Sequence, residues 1–246
     1  MAALSAATRA HLSRVYAVAA LLLAVWGASA AFAVVYKVQL EAPAIVAMIG
    51  LAITFAIAHA CKAHVFVQLL FATLLAASSG MFLERAIDQA IDVDPSIVSS
   101  ALVGTAIIYA AFTLVAFFFS DAFYLALFGA VSSLSFALLY VAVASLLFMT
   151  TPFAEAALLY GGLAICSCYV AIDTHNIIER IECRGAPNEN DVIADALTLF
   201  YDFVRIFVRL LHLLSKKKSD DNDESRAAKE VRPARAARRV MRSEEL

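Results

Sequence analysis

The residues of this chain that could do chemistry are ionisable groups set in apolar sequence, and they fall in two places. One is Asp173-Thr174-His175-Asn176, behind the apolar run from Cys168 to Ile172. The other is Asp195, Thr198, Asp202, Arg205, Arg209 and His212. Their steps of 3, 4, 3, 4 and 3 residues draw one polar stripe down a helix otherwise made of Leu, Ile, Val, Phe and Tyr. At membrane depth an ionisable side chain costs about 2.5–3.5 kcal/mol on insertion scales, so it faces a bundle interior or an aqueous path. Two carboxylates in a dry site resist ionising together, so Asp173 and Asp202, brought together by antiparallel helices, would sense protons. Unprotonated, the same pair offers hard oxygen ligands suited to calcium. A pair that holds either a proton or a cation has the makings of a pH-dependent ion gate. The plainer alternative is a set of ion pairs locking a bundle. In that case Asp202 pairs with Arg205 three residues on, Asp195 caps its helix, and Arg209 and His212 reach for the interface.

Enzyme chemistry fits these residues poorly. An intramembrane aspartyl protease needs Gly-x-Gly-Asp around its second acid, and Asp173 follows Val170-Ala171-Ile172. The five histidines, at 11, 59, 64, 175 and 212, form no His-x-x-x-His pair, and there is no Gly-x-Ser-x-Gly turn or phosphate-cradling glycine loop. The sequence predicts a non-enzyme without a resident cofactor.

The elements that must hold such groups are membrane helices. Of 246 residues, 63% are apolar and 16% charged, against about 45–50% and 25% in soluble domains. The 32 residues from Ser215 hold 10 of the 19 Lys+Arg and 7 of the 21 Asp+Glu, leaving a nearly uncharged body. This composition excludes a soluble globule, a disulfide-stapled secreted domain and a nucleic-acid binder. A bilayer core of about 30 Å takes about 20 apolar residues per helix. The reading is an all-α polytopic bundle, with six spans around a central polar-striped seventh helix that is either full or re-entrant. The spans fall at about 16–36, 43–60, 65–83, 97–119, 123–149 and 155–177, and the seventh segment at 192–214. Residues 1–15 form an N-terminal segment, 16–214 the membrane domain, and 215–246 a charged tail expected to be disordered. The acidic stretch 84–94 reads as a loop. Cys61, Cys166, Cys168 and Cys183 show no metal or redox spacing.

Orientation follows from Lys and Arg in short loops. The N-terminus and the 59–64 and 179–191 connections carry basic residues and are predicted cytoplasmic, with 84–94 opposite. Seven full crossings would put Lys216, Lys217 and Lys218 on the far side. The reading reconciles this conflict with both termini cytoplasmic and a seventh segment that does not simply cross. Beyond the lysines, Arg232, Arg235, Arg239 and Arg242 recur at helical spacing, suited to anionic lipid or to calmodulin.

Several motifs carry a resemblance. They are His11-Leu-Ser-Arg14-Val-Tyr16, Asp92-Val-Asp94-Pro95-Ser96-Ile97 and Ala101-Leu-Val-Gly104-Thr105-Ala106, then Ala171-Ile-Asp173-Thr174-His175-Asn176-Ile177-Ile178-Glu179 and Asp195-Ala-Leu-Thr-Leu-Phe200-Tyr-Asp202-Phe203-Val. In this order they resemble Bax inhibitor-1, especially its plant-type members, from about residue 9 to 218. The resemblance implies a multi-pass endoplasmic-reticulum membrane protein that suppresses programmed cell death and leaks store calcium in a pH-dependent way. It implies that Asp173 and Asp202 are the proton-sensing pair, with Lys62 or His64 as a loose match for a basic partner. It also implies partners among calmodulin and death-regulatory membrane proteins. His175 and Arg205 depart from the family pattern, and an added positive charge at Arg205 would oppose cation passage.

Overall fold

The computed structural model describes the backbone of residues 6–38, 42–62, 64–148, 151–184 and 189–244, and their side chains apart from 42–46, 184, 189–190 and 223–244. Among these residues the chain is helical throughout: α1 (Ala6–Tyr36), α2 (Ala42–Ala60), α3 (Val65–Met81), α4 (Glu84–Val93), α5 (Ser96–Val115), α6 (Asp121–Leu147), α7 (Pro152–Ala156), a π turn (Ala157–Gly161), α8 (Gly162–Arg184) and α9 (Glu189–Glu244). Lipid offers no hydrogen-bond partner, so a spanning backbone must satisfy itself, and helices do this residue by residue. Five stretches are long and apolar enough to cross a membrane: 6–36, 65–93, 96–115, 121–147 and 152–183, with a shorter apolar stretch at 47–60 in α2. The fold is a multi-pass helical membrane bundle.

Helix α9 is the axis of the bundle. It packs against α1, α3, α4, α5 and α8, whereas α2 rests on α3 and α6 rests on α8. Its buried Leu197, Phe200, Val204, Phe207 and Leu211 recur at three- and four-residue steps and meet Trp26, Leu75 and Ile87 in the largest core. Trp26 and Phe207 pack edge to face, with ring centroids 5.3 Å apart. Where α1 crosses α3, Gly80 lies so close that an added Cβ would sit 2.4 Å from the Trp26 carbonyl oxygen. Small residues at such crossings let membrane helices approach.

The structure corrects several expectations. The acidic stretch 84–94 is not a loop, because α4 fills it. Leu83, Ile87 and Ala90 are buried on one face while Arg85, Gln89 and Asp92 point outward, an amphipathic pattern that charge counting alone conceals. The first helix begins at Ala6 rather than near Tyr16, with Thr8, His11, Leu12 and Val15 buried. Helix α9 crosses the whole bundle. Near its start Asp195 meets His11 of α1, and at the other end Lys216 lies 2.6 Å from Glu155 and Lys218 lies 3.3 Å from Asp94. The 21 residues between Asp195 and Lys216 rise about 31 Å, a full membrane thickness. At Lys216–Lys218 the chain is therefore at the opposite end of the bundle from His11. Asp94, just after α4, and Glu155 of α7 pair with the lysines there. The backbone of α9 continues as helix to Glu244.

Candidate functional site

Asp173 is carried by α8 and Asp202 by α9, and antiparallel packing of the two brings their carboxyl groups within hydrogen-bonding reach. Two carboxylates have no hydrogen to share, so a bond between them needs one proton held by the pair. Asp202 is only 1% exposed and Asp173 is partly buried. Arg205 Nη1 stands 3.4 Å from Asp202 Oδ1, while Asp202 Oδ2 receives no donor from the described residues. Of the Arg205 side chain, 58% is exposed. Tyr109 of α5, stacked edge-on against Phe203 with centroids 5.7 Å apart, lies within electrostatic reach of both aspartates. Among the described residues no group of three or more His, Cys, Asp or Glu is placed to hold a metal ion. The pair alone would supply fewer oxygens than the six to eight calcium takes.

The rest of the stripe divides by depth. Asp195 does not cap α9. It is buried and takes His11 Nε2 at 2.9 Å on Oδ2 and Arg180 on Oδ1, tying α1, α8 and α9 together. Thr198 turns back to the Ala194 carbonyl and is exposed. Arg209 Nη1 donates to the Leu158 carbonyl oxygen of the π turn at 3.0 Å, so it is neither an ion-pair partner nor a free snorkelling group. His212 is exposed. The stripe is thus only half covered: Thr198, Arg205 and His212 stay open where a fully enclosed polar face was expected.

His175 belongs to another neighbourhood. Two positions on from Asp173, it turns toward α6, stacks on Tyr124 with centroids 3.8 Å apart, and sets Nε2 3.3 Å from Asp121 Oδ1. Lys62 and His64 flank the connection from α2 to α3, where His64 accepts from the Phe66 N–H as a cap. Among the described residues, Arg205 is a cation beside both aspartates.

Comparison with known proteins bears on this arrangement. A family model described as "Inhibitor of apoptosis-promoting Bax1" matches residues 8–219. The chain belongs to the Bax inhibitor 1 family. It is 31% identical to Bax inhibitor 1 of Rattus norvegicus over 89% of this chain and 91% of that protein. It is 39% identical to Bax inhibitor 1 of Arabidopsis thaliana over 54% of this chain and 53% of the relative, and 37% identical to that of Oryza sativa over 65% and 63%. The chain therefore spans only about half to two thirds of the plant relatives it matches.

The Bax inhibitor match takes in every residue of the pair, the stripe and Lys216–Lys218, and stops before the distal arginines. The side chains of Arg232, Arg235, Arg239 and Arg242 lie outside the described residues. Lys216 and Lys218 are engaged with Glu155 and Asp94 at the bundle rim. Two residues of the polar framework escaped sequence reasoning, His11 and Arg180 as partners of Asp195. No local spacing joins positions 184 and 15 residues away from Asp195. The one available signal was the requirement that a buried carboxylate find cations.

Proposed function

We propose that this chain, like the Bax inhibitor 1 proteins it resembles, suppresses programmed cell death, and that it does so from the endoplasmic-reticulum membrane. In this reading it lowers store calcium through a pH-sensitive cation leak, and Asp173 and Asp202 are the gate. The supporting observation is the carboxyl pair itself, shared between α8 and the central α9 with Asp202 almost fully buried. With one proton the pair bonds to itself and holds the two helices together. Without it, two negative charges repel each other and present oxygens to a cation. Calcium is the permeant ion here, passed on and not kept.

The cellular test is expression under a death stimulus. Unaltered protein protects and lowers releasable store calcium, and Asp202→Asn loses both effects. Protection retained by Asp202→Asn and by Asp173→Asn would contradict the gate. A second reading is a non-conducting scaffold that protects by binding death regulators, calmodulin or lipid enzymes. Arg205 favours it, because a fixed positive charge 3.4 Å from Asp202 opposes cation passage.

A further inference from the structure

Helices α6 and α8 frame a cavity of about 410 Å³, away from the Asp173–Asp202 pair. Two carboxylates stand in its wall, Asp121 at the start of α6 and Glu179 near the end of α8, and both are exposed. Among the described residues no lysine or arginine lines it. The third ionisable group is His175, one turn in from Glu179 on α8. Its side chain is only 9% exposed, and its Nε2 stands 3.3 Å from Asp121 Oδ1 without a hydrogen bond to any described residue. A buried polar atom is almost always satisfied, so this one points to a missing partner. The ring is held in place by its stack on Tyr124, whose own hydroxyl donates to the Val115 carbonyl oxygen at 2.9 Å.

Beyond these groups the cavity wall turns apolar. Leu125 and Phe128 follow Asp121 by four and seven residues, and Ile172 precedes Glu179 by seven, about 6–10.5 Å further from the helix ends. All three line the cavity, and Leu125 and Phe128 are exposed on α6. Both helices belong to stretches long and apolar enough to cross a membrane, so the apolar wall opens toward hydrocarbon and the carboxylates sit at its edge. We propose that the α6–α8 cavity binds a long-chain amine, with the ammonium held by Asp121, Glu179 and His175 and the hydrocarbon chain laid along Leu125, Phe128 and Ile172.

The lining selects this class of ligand. An ammonium brings three N–H donors and no acceptor, and neutral His175 with its hydrogen on Nδ1 offers Nε2 as an acceptor beside the two carboxylates. A phosphate or carboxylate head would meet two negative charges with no cation to offset them. A bare metal ion is a poorer fit, because these groups do not form a set placed to hold one. A short soluble amine would leave the apolar wall unused. The site lies outside the carboxyl pair and goes beyond the gate reading, since His175 faces Asp121 of α6.

The test places the full chain in phosphatidylcholine nanodiscs and follows nitroxide-labelled octadecylamine and octadecanol by electron spin resonance, where a chain held by protein gives a motionally restricted spectrum. The amine is expected to associate about threefold more than the alcohol. Joint Asp121→Asn and Glu179→Gln substitution brings the amine down to the level of the alcohol. Ala122→Phe fills the cavity, which Ala122 lines, keeps both carboxylates and also removes the preference. Asp92→Asn, exposed on α4, retains it. An unchanged alcohol spectrum in each variant reports an intact bundle. Equal restriction of amine and alcohol in the unaltered chain overturns the site, and so does a preference that survives the double carboxylate variant. A preference that survives Ala122→Phe shows attraction to surface charge without the cavity and overturns it as well.

Discussion

Arg209 of α9 reaches across to the π turn between α7 and α8 and donates from Nη1 to the Leu158 carbonyl oxygen at 3.0 Å. The π turn widens the helix locally, and Gly162 just beyond it leaves the space the guanidinium fills. A Cβ on Gly162 would lie 1.9 Å from Arg209 Nη1. Gly162→Ala should therefore expel the guanidinium, with a cost of about 1–3 kcal/mol from overpacking and the lost charged hydrogen bond. Thermal unfolding in detergent checks this. In the double variant Gly162→Ala with Arg209→Ala the two losses should add to less than their sum, because both remove the same contact.

Asp195 is the joint of α1, α8 and α9. Asp195→Ala removes the acceptor of both His11 and Arg180 and should cost about 2–3 kcal/mol. That is below the range for breaking a fully enclosed pair, because Arg180 is partly solvated. Hydrogen exchange should show the loss first at the start of α1 and the end of α8. Uniform protection across all helices would contradict the assignment.

Gly80→Val tests the crossing of α1 and α3. Its side chain would meet the backbone at Trp26 and Ala30, which cannot turn aside as a flexible side chain would. The expected loss is about 2 kcal/mol or more, read as a lower melting temperature and a shifted Trp26 fluorescence. Ala at Gly50, where nothing lies within 4 Å, should leave both unchanged.

Asp94 links acid sensitivity to the α4–α5 junction. Its Oδ1 accepts the Ser96 N–H at 2.9 Å, and this bond, with Lys218 nearby, holds its carboxyl below the usual carboxylate range. A lowered pKa in the folded chain makes its contribution full above the usual carboxylate range and lost as pH falls through the lowered value. Melting temperature should therefore drop on acidification below about pH 4, and Asp94→Asn should flatten that part of the profile. An unchanged profile would show that the cap carries no measurable weight.

The helices were legible because composition and period are local. Apolar runs and the 3-4-3-4-3 stripe marked the spans and the central helix without tertiary information. Asp173 and Asp202 stood out for a related reason, since a carboxyl group in apolar sequence needs an explanation wherever it falls. Where the chain ends up was harder to read. Lys218 pairs with Asp94 at the rim where the apolar face of α9 leaves the core. Read separately, the acids of 84–94 and the lysines of 216–218 suggested opposite sides of a membrane. His175 illustrates the limit of adjacency, because two positions along a helix turn it about 200° from Asp173 and onto Tyr124. Arg209 had no partner visible in sequence, because its acceptor is a main-chain oxygen.

The central claim is that the Asp173–Asp202 pair gates a pH-dependent calcium leak, and calcium flux into liposomes carrying purified protein tests it most directly. Flux is measured from pH 6 to 8 for the unaltered chain, Asp173→Asn, Asp202→Asn and Arg205→Gln. The account predicts a pH step in the unaltered chain, its loss in both aspartate variants, and greater flux in Arg205→Gln, whose opposing charge is gone. Flux no greater than that of empty liposomes in every form, or a pH step that survives both aspartate substitutions, would contradict it.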